Sequence, residues 1–104
     1  MGFRKRLMII GLAMLALALG VAQAADISKG RQIYGKLCQN CHGSNGAGQL
    51  PGAPDFSRGE RLLQPDSVLV GRVRDGQGMM PAFRGQLKDK DLLNVIAYIR
   101  TLRR

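Results

Sequence analysis

Both cysteines and the only histidine of the chain stand in one short run, Cys38-Gln39-Asn40-Cys41-His42. The spacing Cys-x-x-Cys-His is that of a c-type haem attachment sequence. Two thiols one helical turn apart can reach the two vinyl groups on one side of a porphyrin and hold the ring through thioether bonds. The histidine that follows is then placed to bind the iron as an axial ligand. The run therefore predicts one haem, attached through Cys38 and Cys41 and coordinated by His42.

Other uses of such a run stay open from the residues alone. A Cys-x-x-Cys pair also occurs in thioredoxin-like redox proteins, but these need a strand-helix-strand setting that this sequence does not offer. Zinc usually takes four ligands, whereas this run supplies three adjacent ones. A short-loop disulfide between Cys38 and Cys41 is the remaining alternative for an exported protein.

The sequence also limits the second axial ligand of a haem iron. A second histidine is impossible because His42 is the only one, which leaves methionine, lysine, tyrosine or an open site. Beyond residue 24 the only methionines are Met79 and Met80, in a glycine-punctuated loop that reaches Pro81. Proline restricts the residue before it to an extended conformation. Met80 is therefore the predicted ligand, and Met79 is its rival.

The N-terminal segment has the three parts of a secretory signal peptide. Basic residues 4–6 precede an uncharged apolar run over residues 7–21, and the small residues 22–24 fit a cleavage site. The run is short for a bilayer span, which needs about 20 residues. We expect residues 1–24 to be a signal peptide that is removed after Ala24, and the alternative is an uncleaved membrane anchor.

The remaining residues, 25–104, are predicted to form one small domain. The full chain has 104 residues, of which 45% are hydrophobic and 22% charged. This balance excludes a disordered tail, a collagen-like repeat and a multi-span membrane protein. A domain of this size buries little apolar core by itself. A covalently attached haem would supply part of that core.

Three stretches with helical periodicity must position these residues. The first covers residues 26–37, with Asp26 as its N-cap, and its apolar residues fall roughly on one face: Ile27, Ile33, Tyr34 and Leu37. The second begins near Pro65, a residue favoured at the first helical position, and its apolar side is Val68, Leu69 and Val73. The third covers residues 89–102, with an inner stripe of Leu92, Val95, Ile96, Ile99 and Leu102. Residues 43–59 are rich in glycine and proline and predict a loop. The predicted fold class is all-α with long loops.

The run from Cys38 to His42, together with Met80-Pro81, resembles class I cytochrome c, the small single-haem electron carriers. The likeness covers residues 25–104 and implies three or more helices wrapped around one haem. In that family the first and last helices cross where a glycine and an aromatic residue meet an aliphatic and an aromatic residue. Gly30, Tyr34, Val95 and Tyr98 match those positions.

The resemblance also implies a role for the loop after the haem attachment run. Pro54-Asp55-Phe56 is similar to the loop in which a proline carbonyl accepts the proton of the ligand histidine. Such a bond orients the imidazole and raises its basicity. Pro54 and Phe56 are therefore expected at the cofactor, with Pro51 as the rival of Pro54. One departure from the family concerns the last helix, where Lys88 stands in place of the usual Ser or Thr cap, so Asp89 is expected to cap instead.

These residues predict a periplasmic electron carrier rather than an enzyme. The iron cycles between Fe(II) and Fe(III), and two strong axial ligands leave no position open for a substrate. A methionine ligand favours Fe(II) and raises the reduction potential. The alternatives are a haem protein with a labile sixth site that binds small ligands or has peroxidase-like activity, and a membrane-tethered carrier that retains residues 1–24.

The charge of the chain predicts the kind of partner. The full chain has a net charge of +9, and removal of the three basic residues of the signal peptide leaves +6. Such a charge favours redox proteins with acidic docking surfaces. Nucleic acid is a poor fit because the sequence has neither a binding motif nor an aromatic platform. We expect a monomer that contacts membranes only through membrane-bound redox complexes.

Overall fold

The computed structural model of the chain describes residues 24–104. These residues form four α-helices joined by long loops: α1 (Ile27–Leu37), α2 (Gln39–His42), α3 (Asp66–Asp75) and α4 (Asp89–Arg100). A short 3-10 helix, Phe56–Arg58, lies between α2 and α3. In this part of the chain the only β-type pairing is an isolated bridge between Gln77 and Met80. The predicted all-α class is confirmed.

The predicted signal peptide lies outside the described residues, except for Ala24. None of the helices between residues 24 and 104 combines the length and the apolar character that a membrane crossing requires.

Helix α1 begins where its sequence predicts. The carboxylate of Asp26 accepts a hydrogen bond from the backbone N–H of Lys29 at 3.1 Å and so caps the helix. The backbone N–H of Asp26 donates in turn to Oδ1 of Asn94, a buried residue of α4, at 2.8 Å. The start of the domain is thereby tied to its last helix.

Helices α1 and α4 pack against each other at Gly30, as the sequence predicts. A Cβ atom on Gly30 would lie 2.0 Å from the backbone oxygen of Asn94 and 3.0 Å from Cβ of Tyr98. Next to this contact the rings of Tyr34 and Tyr98 meet edge to face, with centroids 5.3 Å apart. A glycine is therefore required for two backbones to approach this closely.

The buried side chains form one cluster that α1, α3 and α4 share. Tyr34, Leu92 and Val95 are almost fully buried, and Leu69, Val70 and Val73 of α3 complete the contact with α4. The expected apolar faces are only partly correct. Ile27 and Leu37 of α1 and Val68 of α3 are exposed. In α1 only Gly30 and Tyr34 are buried.

Helix α4 begins differently from the prediction. Lys88 occupies the N-cap position, and its backbone N–H donates to the carboxylate of Asp91 at 3.1 Å. Asp89 is the first helical residue, so the expectation that it caps the helix is wrong. This bond is one of the two in a capping box, the one in which the side chain of the third helical residue accepts from the N-cap N–H. At the start of α3, Pro65 likewise stands at the N-cap and not at the first helical position.

The guanidinium of Arg100 holds the loop over residues 59–65. It donates to the carbonyl oxygens of Leu62 and Gln64 at 2.5 and 2.8 Å. It also donates to Oδ1 of Asp66 at 2.8 and 3.0 Å. One side chain at the end of α4 therefore fixes both this loop and the first residue of α3.

Candidate haem-binding site

The haem attachment run forms a tight helical turn directly after α1. Cys38 ends α1, and its carbonyl accepts from the backbone N–H groups of Cys41 and His42 at 3.2 and 3.0 Å. Cys38 is buried and Cys41 is exposed, and the two thiols are not bonded to each other. Both thiols border the same cavity. The turn therefore presents two unpaired thiols to one volume, as attachment of a flat ring requires.

Burial raises the pKa of the Cys38 thiol to about 11, with a smaller contribution from Cys41. At neutral pH this thiol is protonated. Among residues 24–104 no group of three or more histidine, cysteine or carboxylate side chains is placed to hold a metal ion, which disfavours the zinc alternative.

The loop after the run folds back onto it. The carbonyl of His42 accepts from the N–H of Gly48 at 2.8 Å, and the carbonyl of Cys41 accepts from the N–H of Gln49 at 2.9 Å. Gly43 ends the turn with a φ of +84°, a conformation that favours glycine. These contacts fix the backbone on both sides of the histidine.

The buried hydroxyl of Tyr34 adds a bond from α1. It donates to the carbonyl oxygen of Gly43 at 2.6 Å. Burial raises the pKa of Tyr34 to about 12, so the phenol stays protonated and remains a donor. Helix α1 thus holds the end of the haem attachment turn as well as its beginning.

The imidazole of His42 lies in a partly apolar setting. Its ring stacks on Phe56, with centroids 5.0 Å apart and an interplanar angle of 21°. Burial lowers the pKa of His42, which favours the neutral ring that binds iron. Phe56 therefore stands beside the histidine, where the sequence expects it.

Nδ1 of His42 is buried and has no hydrogen-bond partner among residues 24–104. The expected bond to the carbonyl of Pro54 is thus not formed in this geometry, although Pro54 and its rival Pro51 both border the cavity. The role of Pro54 stays a prediction.

The loop that carries the two methionines is a tight turn over residues 77–80. Gln77 and Met80 exchange two backbone hydrogen bonds, at 3.0 and 2.9 Å. Gly78 has a φ of +58°, whereas Met79 has no positive φ. This pattern is that of a type II′ turn with glycine in its first central position. The turn places the two adjacent methionines in different surroundings.

Met80 is half-buried and packs against the core cluster, whereas the side chain of Met79 is 84% exposed. Both border the cavity. A glycine at position 76 lets the backbone of Met80 pack against the end of α3, because a Cβ there would lie 2.6 Å from the carbonyl oxygen of Met80. After the turn, Phe83 donates its N–H to the carbonyl of Val73 at 3.1 Å and anchors the loop on α3.

One cavity of about 450 Å³ joins these parts. It brings together every residue that the sequence predicts for the cofactor: Cys38, Cys41, His42, Pro54, Phe56 and Met80. Its other walls are mainly apolar side chains from α3, α4 and the loops, among them Leu62, Leu69, Val73, Phe83, Val95, Ile96 and Ile99. The volume lies in the usual range for cofactor sites. Two thiols, an imidazole and a thioether around an apolar volume are a donor set that fits a haem.

The sequence did not point to the loop over residues 59–65 as a wall of this cavity. Leu62 is buried there, and Arg61 and Gln64 border the cavity beside it. The residues of this loop have no helical or alternating pattern. Their position depends on Arg100, which lies 38 residues from Leu62 in the chain.

Comparison with known proteins relates this site to cytochromes. The family described as cytochrome c oxidase, cbb3-type, subunit III matches residues 25–99. Cytochrome c6 of Picosynechococcus sp. is 34% identical over 91% of this chain and 92% of that protein. The cbb3-type oxidase subunit CcoP of Azospirillum brasilense is also 34% identical, over 76% of this chain but only 29% of the subunit. The structure of cytochrome c6 from the diatom Phaeodactylum tricornutum is similar with a TM-score of 0.64 at 27% identity, covering 74% of this chain and 93% of that one.

Proposed function

Because this chain belongs to the class I c-type cytochromes, we propose that it carries single electrons between redox proteins in the periplasm. Its cofactor is one haem c, held covalently through Cys38 and Cys41. The bound haem supplies a one-electron Fe(II)/Fe(III) couple. The observation that carries the proposal is an apolar cavity that is bordered by both cysteines, by His42 and by Met80.

The residues around the cavity have different proposed roles, which are binding the iron and positioning its ligands. His42 and Met80 are the proposed axial ligands, and Phe56 keeps the imidazole plane in place by stacking on it. The half-buried Met80 is held by the turn at residues 77–80, whereas Met79 is 84% exposed at the edge of the cavity. If both side chains bind the iron, no position would be left open for a substrate. A labile sixth site with small-ligand or peroxidase-like chemistry is the alternative that the tests below separate.

An apolar rim suits contact with a redox partner. Leu37, Leu50 and Met79 border the cavity and are exposed, and the exposed Cys41 lies among the same cavity residues. Residues 25–104 have a net charge of +6, as counted from the sequence. We propose that a monomeric carrier brings this rim to an acidic docking surface of its partner, with electrostatic steering of the encounter.

Electron transfer to an acidic partner is expected to slow as salt is added. At physiological ionic strength the screening length is about 8 Å, so the attraction between the net charges weakens. The second-order rate of reduction of an acidic redox protein, measured by stopped flow over a range of salt concentrations, checks this. A rate that does not depend on salt would contradict the proposal of an acidic partner, but it would not affect the haem assignment.

Mass spectrometry of the exported protein tests the proposed signal peptide. We expect the mass of residues 25–104 plus one haem, and the haem should remain bound after denaturation because it is covalent. Retention of Met1 would favour the membrane-tethered alternative. The similarity to part of an oxidase subunit also supports that alternative. A chain mass without haem would contradict the proposed function.

A further inference from the structure

The segment that carries the two methionines begins and ends at the same point of the fold. This segment, residues 76–82, is called the methionine loop below. It leaves the last turn of α3, and the chain returns to that turn directly after the loop. The backbone N–H of Phe83 is bonded there, and the next one, that of Arg84, donates to the carbonyl oxygen of Arg74 at 3.0 Å. The contacts that keep this point closed therefore also keep Met80 at the cavity.

Side chains of alternating charge connect the two ends of the methionine loop. Nη2 of Arg84 lies 2.5 Å from Oδ1 of Asp75, the last residue of α3. The same oxygen of Asp75 lies 3.7 Å from Nε of Arg74. Nη1 of Arg74 lies 3.6 Å from Oδ1 of Asp89, the first residue of α4. Two cations and two carboxylates thus form one network across the ends of the loop.

The position of this network suits a local role. The side chains of Asp75 and Arg84 are 53% and 70% exposed, and exposed ion pairs contribute little to global stability unless they belong to a network. Opening of one loop breaks far fewer contacts than global unfolding does, so a single pair at its ends can shift that equilibrium. Of the residues 24–104 that the structure describes, neither Asp75 nor Arg84 borders the haem cavity. Any influence they have on the iron must therefore pass through the loop or through their charge.

From this arrangement we propose that Asp75 and Arg84 are positioning residues, which hold Met80 at the iron by keeping the methionine loop closed. The inference rests on the proposed function, because it requires the haem and Met80 as its ligand. Met80 leaves the iron only when the loop moves, and the contact between Asp75 and Arg84 is lost in the open loop. A closed loop keeps the same ligand on the iron in both oxidation states, so electron transfer proceeds without ligand exchange.

Binding of imidazole to the oxidised protein reports how often the loop is open. Imidazole binds Fe(III) at the position that Met80 leaves, so only molecules with an open loop bind it. The apparent dissociation constant therefore falls in proportion as the open fraction rises. Asp75→Asn and Arg84→Gln are each expected to lower this constant by about twofold to fivefold, the range for one exposed ion pair. An optical titration of the haem-containing proteins at fixed pH and ionic strength measures it.

The two substitutions distinguish a closing role from an effect of charge. Asp75→Asn removes a negative charge and Arg84→Gln removes a positive one, so their electrostatic effects at the iron have opposite signs. Tighter binding of imidazole in both variants is therefore expected only if the contact holds the loop. The double variant should bind about as tightly as the tighter single variant, because the two residues act through one contact.

Asp66→Asn is the matched control. Asp66 forms an exposed ion pair of the same kind with Arg100, at 2.8 Å, but at the opposite end of α3. Its affinity for imidazole should equal that of the wild type, whereas thermal unfolding, measured on every variant, records any general loss of stability. Met80→Ala sets the upper limit, because its sixth position is open without movement of the loop.

Two kinds of result would overturn the inference. If Asp75→Asn and Arg84→Gln leave the affinity for imidazole unchanged or shift it in opposite directions, the pair does not hold the loop, while the electron carrier stands. An equal effect of Asp66→Asn leads to the same conclusion. If Met80→Ala binds imidazole no more tightly than the wild type, or if the wild type carries no covalent haem, the proposed function fails first and this inference fails with it.

Discussion

Replacing Met80 by alanine is expected to remove the sixth ligand of the iron. The oxidised protein should lose the weak near-infrared band that arises from sulfur-to-iron charge transfer. The reduction potential should fall on the order of 0.1 V or more, because axial ligands set haem potentials over about 0.8 V. The reduced protein should bind carbon monoxide. Near-infrared absorption, redox titration and a carbon monoxide difference spectrum measure the three effects.

Met79→Ala is the matched control, since the two residues are adjacent and chemically identical. Met79 is 84% exposed at the corner of the turn, whereas Met80 packs against the core. We therefore expect all three properties to stay nearly unchanged. If Met79→Ala removes the band and Met80→Ala keeps it, the ligand assignment is wrong by one residue. If neither substitution changes it, the labile-site alternative is favoured.

Gly30→Ala is expected to destabilise the fold by about 3 kcal/mol or more, at the upper end of overpacking effects. The new Cβ would lie 2.0 Å from the backbone oxygen of Asn94. A backbone atom cannot move aside as a flexible side chain can, so α1 and α4 must separate. The haem attachment turn follows α1 directly, and the hydrogen bond from Tyr34 to Gly43 would be disturbed as well. Denaturant unfolding of the haem-containing protein measures the loss.

Gly35→Ala gives the comparison within the same helix. The nearest atom to a Cβ on Gly35 is the side-chain oxygen of Gln39, at 4.0 Å. Alanine should therefore stabilise the protein by up to about 1 kcal/mol, because glycine disfavours a helix interior. Equal stability of the two variants would show that the close contact between α1 and α4 does not support the fold.

The parts of the site that sequence predicted well are those fixed by local spacing. The attachment run is five residues long, so its geometry is that of one helical turn wherever it occurs. Met80 is similar, since Gly78 and Pro81 define a turn within four residues. Gly30 was predicted because a glycine that weakens a helix needs a reason, and close packing of a second helix is a common one.

The parts that sequence missed depend on contacts between distant residues. No local pattern marks Arg61 as left-handed or Leu62 as a cavity wall, because Arg100 holds that loop from the other end of the domain. Ile27 is exposed for a related reason. Its spacing fits a buried helix face, but only Gly30 and Tyr34 of α1 are buried. The cap of α4 was misplaced because Asp89 and Asp91 are both suitable acceptors, and only geometry selects Asp91.

The central claim is that this chain is a one-electron carrier built around a covalent haem. An optical redox titration of the protein matured with its haem machinery tests it most directly. The account predicts one reversible transition that follows a one-electron curve, with low-spin spectra at both ends and full recovery on reoxidation. A transition that is irreversible or involves two electrons, or a high-spin reduced spectrum, would contradict it.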